Sequence, residues 1–131
     1  GFFDGQIEDN AWFAMALLEG YKTTKEKRFF EKADAVIAFS IKNLYNEKDG
    51  GFIERRSTSK EFYREKELVS YKRPYGPNSI MNYALINLYE LTKNKEYLEK
   101  AREGFGLFYE DMNMEFQSIS FQRAARYLLK Q

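Results

Sequence analysis

The chain has no cysteine and no histidine in its 131 residues, and only two prolines. Without cysteine there is no disulfide, no thiolate nucleophile and no thiolate metal site. Without histidine the commonest general base and metal ligand are gone, and with them every His-activated nucleophile. Whatever chemistry the chain performs falls to carboxylates, Tyr, Lys or Arg, and neither a metal nor another cofactor is expected. An excess of one charge is missing as well. Lys and Arg number 21 against 20 Asp and Glu, so no broad field favours nucleic acid or an anionic membrane. No run approaches the roughly 18 consecutive apolar residues of a membrane span. No signal peptide opens the sequence either, and a cytoplasmic location is the expectation.

What is present points to a packed interior. Hydrophobic residues make up 44% of the chain and aromatics 18%, which suits a single globular domain with helices wedged apart by rings. The opening GFFDGQ puts two Phe at the very end of the sequence, and the chain reads as the C-terminal piece of something longer.

Apolar periodicity predicts five helices. The first, over about 9–24, starts at Glu8, Asp9 and Asn10, residue types that cap helices and complement the positive helix end. Between Ala11 and Tyr21 only Glu19 is charged, so this helix should be buried on most sides. The second, over about 26–45, is amphipathic, with Phe30, Ala33, Ile37, Ile41 and Leu44 in one stripe. The third, about 78–91, is again apolar nearly all round. The fourth, about 96–112, has the stripe Leu98, Ala101, Phe105 and Phe108 and a wet face of Glu99, Lys100, Arg102 and Glu103. A final helix over about 115–130 turns Ile119, Ala124, Ala125 and Leu128 inward.

The long connection, 46–77, opens with the turn Asp49-Gly50-Gly51. A short strand over 52–55 is expected to pair with one over 68–71, with a loop or short helix over 57–66. Pro74, Gly76 and Pro77 should break regular structure just before the third helix.

The two hairpins are copies. Shifting the chain by 68 residues, the distance from Asn10 to Asn78, lays Ala16-Leu17 on Ala84-Leu85 and Tyr21 on Tyr89. It also lays Thr24-Lys25 on Thr92-Lys93, Lys27 on Lys95, and Glu31-Lys32-Ala33 on Glu99-Lys100-Ala101. A tetratricopeptide array, with its period of about 34 residues, fails because 46–77 holds no second helical pair. Helices apolar all round alternating with amphipathic ones are what two concentric layers require. The fold class is therefore all-α: a partial (α/α) toroid of repeat units about 9–45 and 78–112, with a short β-hairpin in the connection.

Several segments in order carry a family resemblance: IEDNAW at 7–12, FFEKA at 29–33, DGGF at 49–52, PYGPNS at 74–79 and LTKNKEYLEKA at 91–101. The chain resembles the C-terminal helical region of the YyaL-like, spermatogenesis-associated protein 20 group of thioredoxin-domain proteins. That group belongs to the six-hairpin glycosidase-like superfamily, alongside N-acylglucosamine and cellobiose 2-epimerases. The resemblance implies a toroid whose inner helices point their N-termini at one funnel, rimmed by the long connections. The epimerase relatives use His as acid and base, which this chain lacks, and Lys72-Arg73 stands where the family has an acidic residue.

Such a funnel would gather Asp4, Glu8, Asp9, Trp12, Phe52, Glu54, Arg73, Tyr75, Asn78 and Ser79. Glu8, Asp9 and Glu54 are the candidate catalytic carboxylates. In sugar chemistry one carboxyl group protonates a leaving oxygen and the other activates water. Asp4, Trp12, Phe52, Arg73, Tyr75, Asn78 and Ser79 are candidate substrate-binding residues. Bland readings stand beside these: Glu8 and Asp9 as helix-end residues, Asn10 and Asn78 as repeated caps, Trp12 and Tyr75 as packing. The function expected is a helical scaffold or partner surface joined to a thioredoxin-like domain, since the histidine is missing; the alternative is a carbohydrate-active, glycosidase- or sugar epimerase-like domain with a sugar ligand. A partial ring also leaves apolar flanks uncovered, so self-association is expected.

Overall fold

The computed structural model describes residues 6–61, 64–109 and 119–130; Asp4 lies outside them. Five helices and one hairpin follow in order: α1 (Ile7–Thr24), α2 (Lys27–Leu44), β1 (Arg55–Glu61), β2 (Arg64–Ser70), α3 (Tyr75–Thr92), α4 (Lys95–Leu107) and α5 (Ile119–Leu128). Helix α1 packs on α2 and on α3, and α3 packs in addition on α4 and α5. Thus α1, α3 and α5 form an inner layer while α2 and α4 back it, which makes the chain a wedge of an (α/α) toroid.

The repeat is visible atom by atom at its turns. Lys25 and Lys93 both take φ of 59°, the left-handed conformation that ends a helix. Lys25 N–H donates to Tyr21 O at 2.8 Å and Lys93 N–H to Tyr89 O at 2.7 Å. The Thr before each Lys donates its hydroxyl one turn back, Thr24 to Gly20 O and Thr92 to Leu88 O, both at 2.8 Å. Each Thr oxygen then accepts the N–H two residues on, from Glu26 and Asn94, at 3.1 Å. The Thr-Lys pair repeats because it builds this turn.

One core runs through both repeats. Ile7, Ala11, Ala14 and Leu18 of α1 join Ala33, Ile37 and Leu44 of α2 and Met81, Ala84, Leu85 and Leu88 of α3. Burying each Leu or Ile side chain stabilises by about 1.5–3 kcal/mol relative to exposure. The seam between α2 and α4 is polar instead. Tyr97 donates to Asp34 at 2.6 Å, and burial together with that carboxylate pushes the Tyr97 hydroxyl above the usual phenol range. Tyr45 hydrogen-bonds Glu103, and Lys100 lies 3.8 Å from the Tyr45 ring centroid while pairing with Glu47 at 3.1 Å. Lys100, expected on the wet face, is buried by this arrangement.

Two further expectations are corrected. Helix α1 is not buried on most sides: Trp12 is 60% exposed and Phe13 52%, because no helix among the described residues covers that flank. And Gly76 and Pro77 do not precede α3 but lie in its first turn, after Pro74 as N-cap. A proline there sacrifices only an N–H that no earlier carbonyl of the helix could accept.

The connection is more ordered than expected. The strands pair antiparallel from Arg55 opposite Ser70 to Glu61 opposite Arg64, so 57–61 and 64–66 lie in the arms of a hairpin rather than in a loop or helix. Phe52 instead makes an isolated bridge with Tyr45.

Candidate functional site at the inner-helix N-termini

Backbone hydrogen bonds draw the starts of α1 and α3 together through a single residue of the connection. Ile7 N–H donates to Glu54 O at 3.0 Å, and Glu54 N–H donates to Lys72 O at 2.6 Å. Gln6 also bridges Arg55. The resulting three-segment ladder sets the first turn of α1 beside the residues that lead into α3. The Glu54 side chain is half-buried and accepts from the Ser70 hydroxyl at 2.5 Å.

Capping works differently from the expectation. The N-cap of α1 is Gln6 and that of α3 is Pro74, and neither offers a side-chain cap. Asn10 and Asn78 lie four residues further on, inside their helices and buried. Asn78 reads the connection's main chain. Its Oδ1 accepts Phe52 N–H at 2.7 Å, and its Nδ2 donates to Phe52 O at 2.9 Å and Pro74 O at 2.8 Å. An amide supplies one acceptor and two donors, so it satisfies Phe52 much as a neighbouring strand would.

The turn feeding this clamp explains the paired glycines. Gly50 and Gly51 hold φ of 75° and 74°. A Cβ on Gly51 would also come within 2.8 Å of Leu107 Cδ2 and 3.4 Å of Asn78 Oδ1. Arg73 closes the turn from outside, with Nη1 donating to Asp49 O at 3.3 Å and Gly50 O at 3.2 Å.

The sequence candidates therefore separate by location. Phe52, Asn78 and Ser79 are 3%, 3% and 1% exposed, which places their side chains in the interior rather than at a sugar-facing surface. Phe52 packs edge-on to Tyr45 at 5.1 Å and Tyr75 edge-on to Phe108 at 5.7 Å. Arg73 is committed to the turn. Glu8, Asp9 and Trp12 remain exposed. Both acids lie in the first turn of α1, where the helix end favours negative charge. Successive helical residues point about 100° apart and every fourth returns near the same face. Glu8 and Trp12 thus share one side, with Asp9 next to them.

Sequence reasoning missed the polar clamp. Its only sign was that Asn10 and Asn78 recur at one repeat position, which reads equally as a cap. The sequence matches no family model and no curated protein. Its fold is similar to that of solved glycoside hydrolases. One is a family 76 glycoside hydrolase from a bovine Bacteroides thetaiotaomicron strain, with TM-score 0.66 and 16% identity over 75% of this chain and 21% of that one. Another is a family 76 glycoside hydrolase (mannosidase) from Bacteroides thetaiotaomicron VPI-5482, with TM-score 0.63 and 17% identity over 72% of this chain and 25% of that one. The chain thus spans a quarter or less of the length of these structures, and the likeness at such identity concerns the all-α toroid fold.

Proposed function

We propose that this chain supplies part of a carbohydrate-binding funnel, with Glu8 and Asp9 as its acid and base and Trp12 as a platform for a sugar ring. The observation that carries this reading is the exposed Glu8, Asp9 and Trp12 on the first turns of an inner helix. The likeness of the fold to glycoside hydrolases supports it. Glycosidic cleavage needs one carboxyl group to protonate the leaving oxygen and another to activate water or attack carbon. Trp12 is the only tryptophan, so its emission reports on the site directly. Titration with mannose-containing oligosaccharides is expected to quench it saturably at millimolar sugar, and Glu8→Gln or Asp9→Asn to weaken the response about tenfold. An emission spectrum unmoved by tens of millimolar sugar would rule the reading out.

A second reading, a scaffold or partner surface paired with a thioredoxin-like domain, draws on the ordered sequence resemblance. The exposed Phe13 flank favours its partner-surface element. It predicts self-association of the 131-residue chain in light scattering at high concentration, and a clean monomer would count against it.

A further inference from the structure

Between α3 and α5 lies an open cleft of about 280 Å³, lined in part by the half-buried rings of Tyr83 and Tyr127. Its charge is lopsided. Arg123 and Arg126 line it from one face of α5, a turn apart, and Lys130 follows a turn later. Against them stands the carboxylate of Glu90 on α3. Three cations and one carboxylate leave +2 in this cleft, where the whole chain carries a net +1. Among the described residues none of the three cations has an ion pair. Glu90 interacts with the Tyr127 hydroxyl instead. Lys22 also reaches the Tyr83 ring, 5.9 Å from its centroid, but Glu19 matches its charge at 2.8 Å. Complementing the negative end of α5 accounts for Arg126, in the last turn. That effect fades within a turn and does not account for Arg123. The cleft is also separate from the acidic first turns, since Tyr83 and Glu90 lie about 12 and 22 Å along α3 from its start.

We propose that this cleft binds a small phosphate monoester whose organic part carries hydroxyl groups, such as a sugar phosphate. A phosphate monoester bears about −1.5 to −2 charges at neutral pH, which matches the surplus of the lining. The two guanidinium groups present planar forks of N–H donors that fit phosphate oxygens in pairs, and Lys130 adds a point charge. Glu90 has the opposite task. An ionised carboxylate only accepts hydrogen bonds, so it repels a phosphate and attracts hydroxyls. Its place in the same cleft selects a ligand with phosphate on one side and hydroxyls on the other over bare phosphate. The tyrosine rings offer apolar faces to the C–H side of such a molecule. The volume falls just under the usual range for small-molecule pockets, roughly 300–1,000 Å³, which suits one sugar unit better than an oligosaccharide. This site stands whether or not Glu8, Asp9 and Trp12 act on sugar.

The test is two-dimensional NMR of the 131-residue chain titrated with mannose 6-phosphate at physiological salt. Saturable shifts of the Tyr83, Arg123 and Arg126 backbone amides are expected below millimolar ligand, with the Trp12 amide unmoved. Mannose should give no shift there, and inorganic phosphate should bind about tenfold more weakly. Arg123→Gln and Arg126→Gln change exposed positions and should each weaken mannose 6-phosphate binding about tenfold. Glu90→Ala should bind inorganic phosphate at least as well as before while losing the preference for the sugar ester. No saturable shift at several millimolar mannose 6-phosphate, or binding unchanged by either arginine variant, would overturn the proposal. Equal affinity for inorganic phosphate would overturn it as well, because the cleft would then hold an adventitious ion only.

Discussion

Helices α1 and α3 are the same helix placed in two settings. Each has 18 residues, the same Thr-Lys turn at its end and an asparagine at its fourth position. Yet α3 buries Met81, Ala84 and Leu88 completely, while α1 leaves Trp12, Phe13 and Ala16 in solvent. The difference lies in what surrounds each helix rather than in its own periodicity. Helix α3 has helices on both flanks and a clamped segment over its first turn; among the described residues α1 has an inner-helix neighbour, α3, on one flank only. The exposed apolar surface of α1 thus follows from its having inner-helix contact on fewer sides among the described residues.

Breaking the clamp should expose that contrast most strongly. Asn78→Ala leaves the main chain of buried Phe52 without partners, and an unsatisfied buried group costs about 1–3 kcal/mol. A loss of about 3 kcal/mol is expected in urea unfolding. Asn10→Ala removes an amide whose donor is already unsatisfied, so its effect should stay within about 1 kcal/mol. Equal losses for the two variants would mean that the amides play the same role in this chain.

The outer helices offer a smaller contrast. Gly104 of α4 lies against α3, where a Cβ would stand 3.0 Å from Asn82 Oδ1, whereas Gly106 has nothing within 4 Å. Gly104→Ala should therefore lose about 1–2 kcal/mol through overpacking. Gly106→Ala should gain up to about 1 kcal/mol from helix propensity; its counterpart in α2 is already Ala38. Thermal unfolding of both variants decides the matter, and a stabilised Gly104→Ala would show that the close approach to Asn82 does not constrain the packing.

The layered helical fold was legible because its signals are local and repeated. The apolar stripes of α2 and α4, the Thr-Lys turns and the two-glycine turn each follow from a few neighbouring residues. The start of α3 was misread because Gly76 and Pro77 suggest a break, although a first helical turn accepts both. The hairpin arms were underestimated because 57–61 and 64–66 are polar throughout and give no alternating pattern to read. At the candidate site, the acidic first turn of α1 was plain in the sequence. The sorting of candidates was not, since Arg73 and Asn78 spend their polar groups on main-chain atoms more than twenty residues away. Trp12 is the reverse case: an aromatic residue in an apolar helix reads equally as packing, and only its 60% exposure keeps it among the surface candidates.

The chain's lack of cysteine makes the central comparison directly measurable. Single cysteines placed at Phe13, Ala16, Met81 and Ala84 sit at two pairs of equivalent repeat positions, and the rate of modification by a thiol reagent reads their accessibility. Fast labelling at 13 and 16, with labelling at 81 and 84 slowed to the rate of global unfolding, is the expected result. Matching rates within each pair would contradict the account, because the two inner helices would then share one environment.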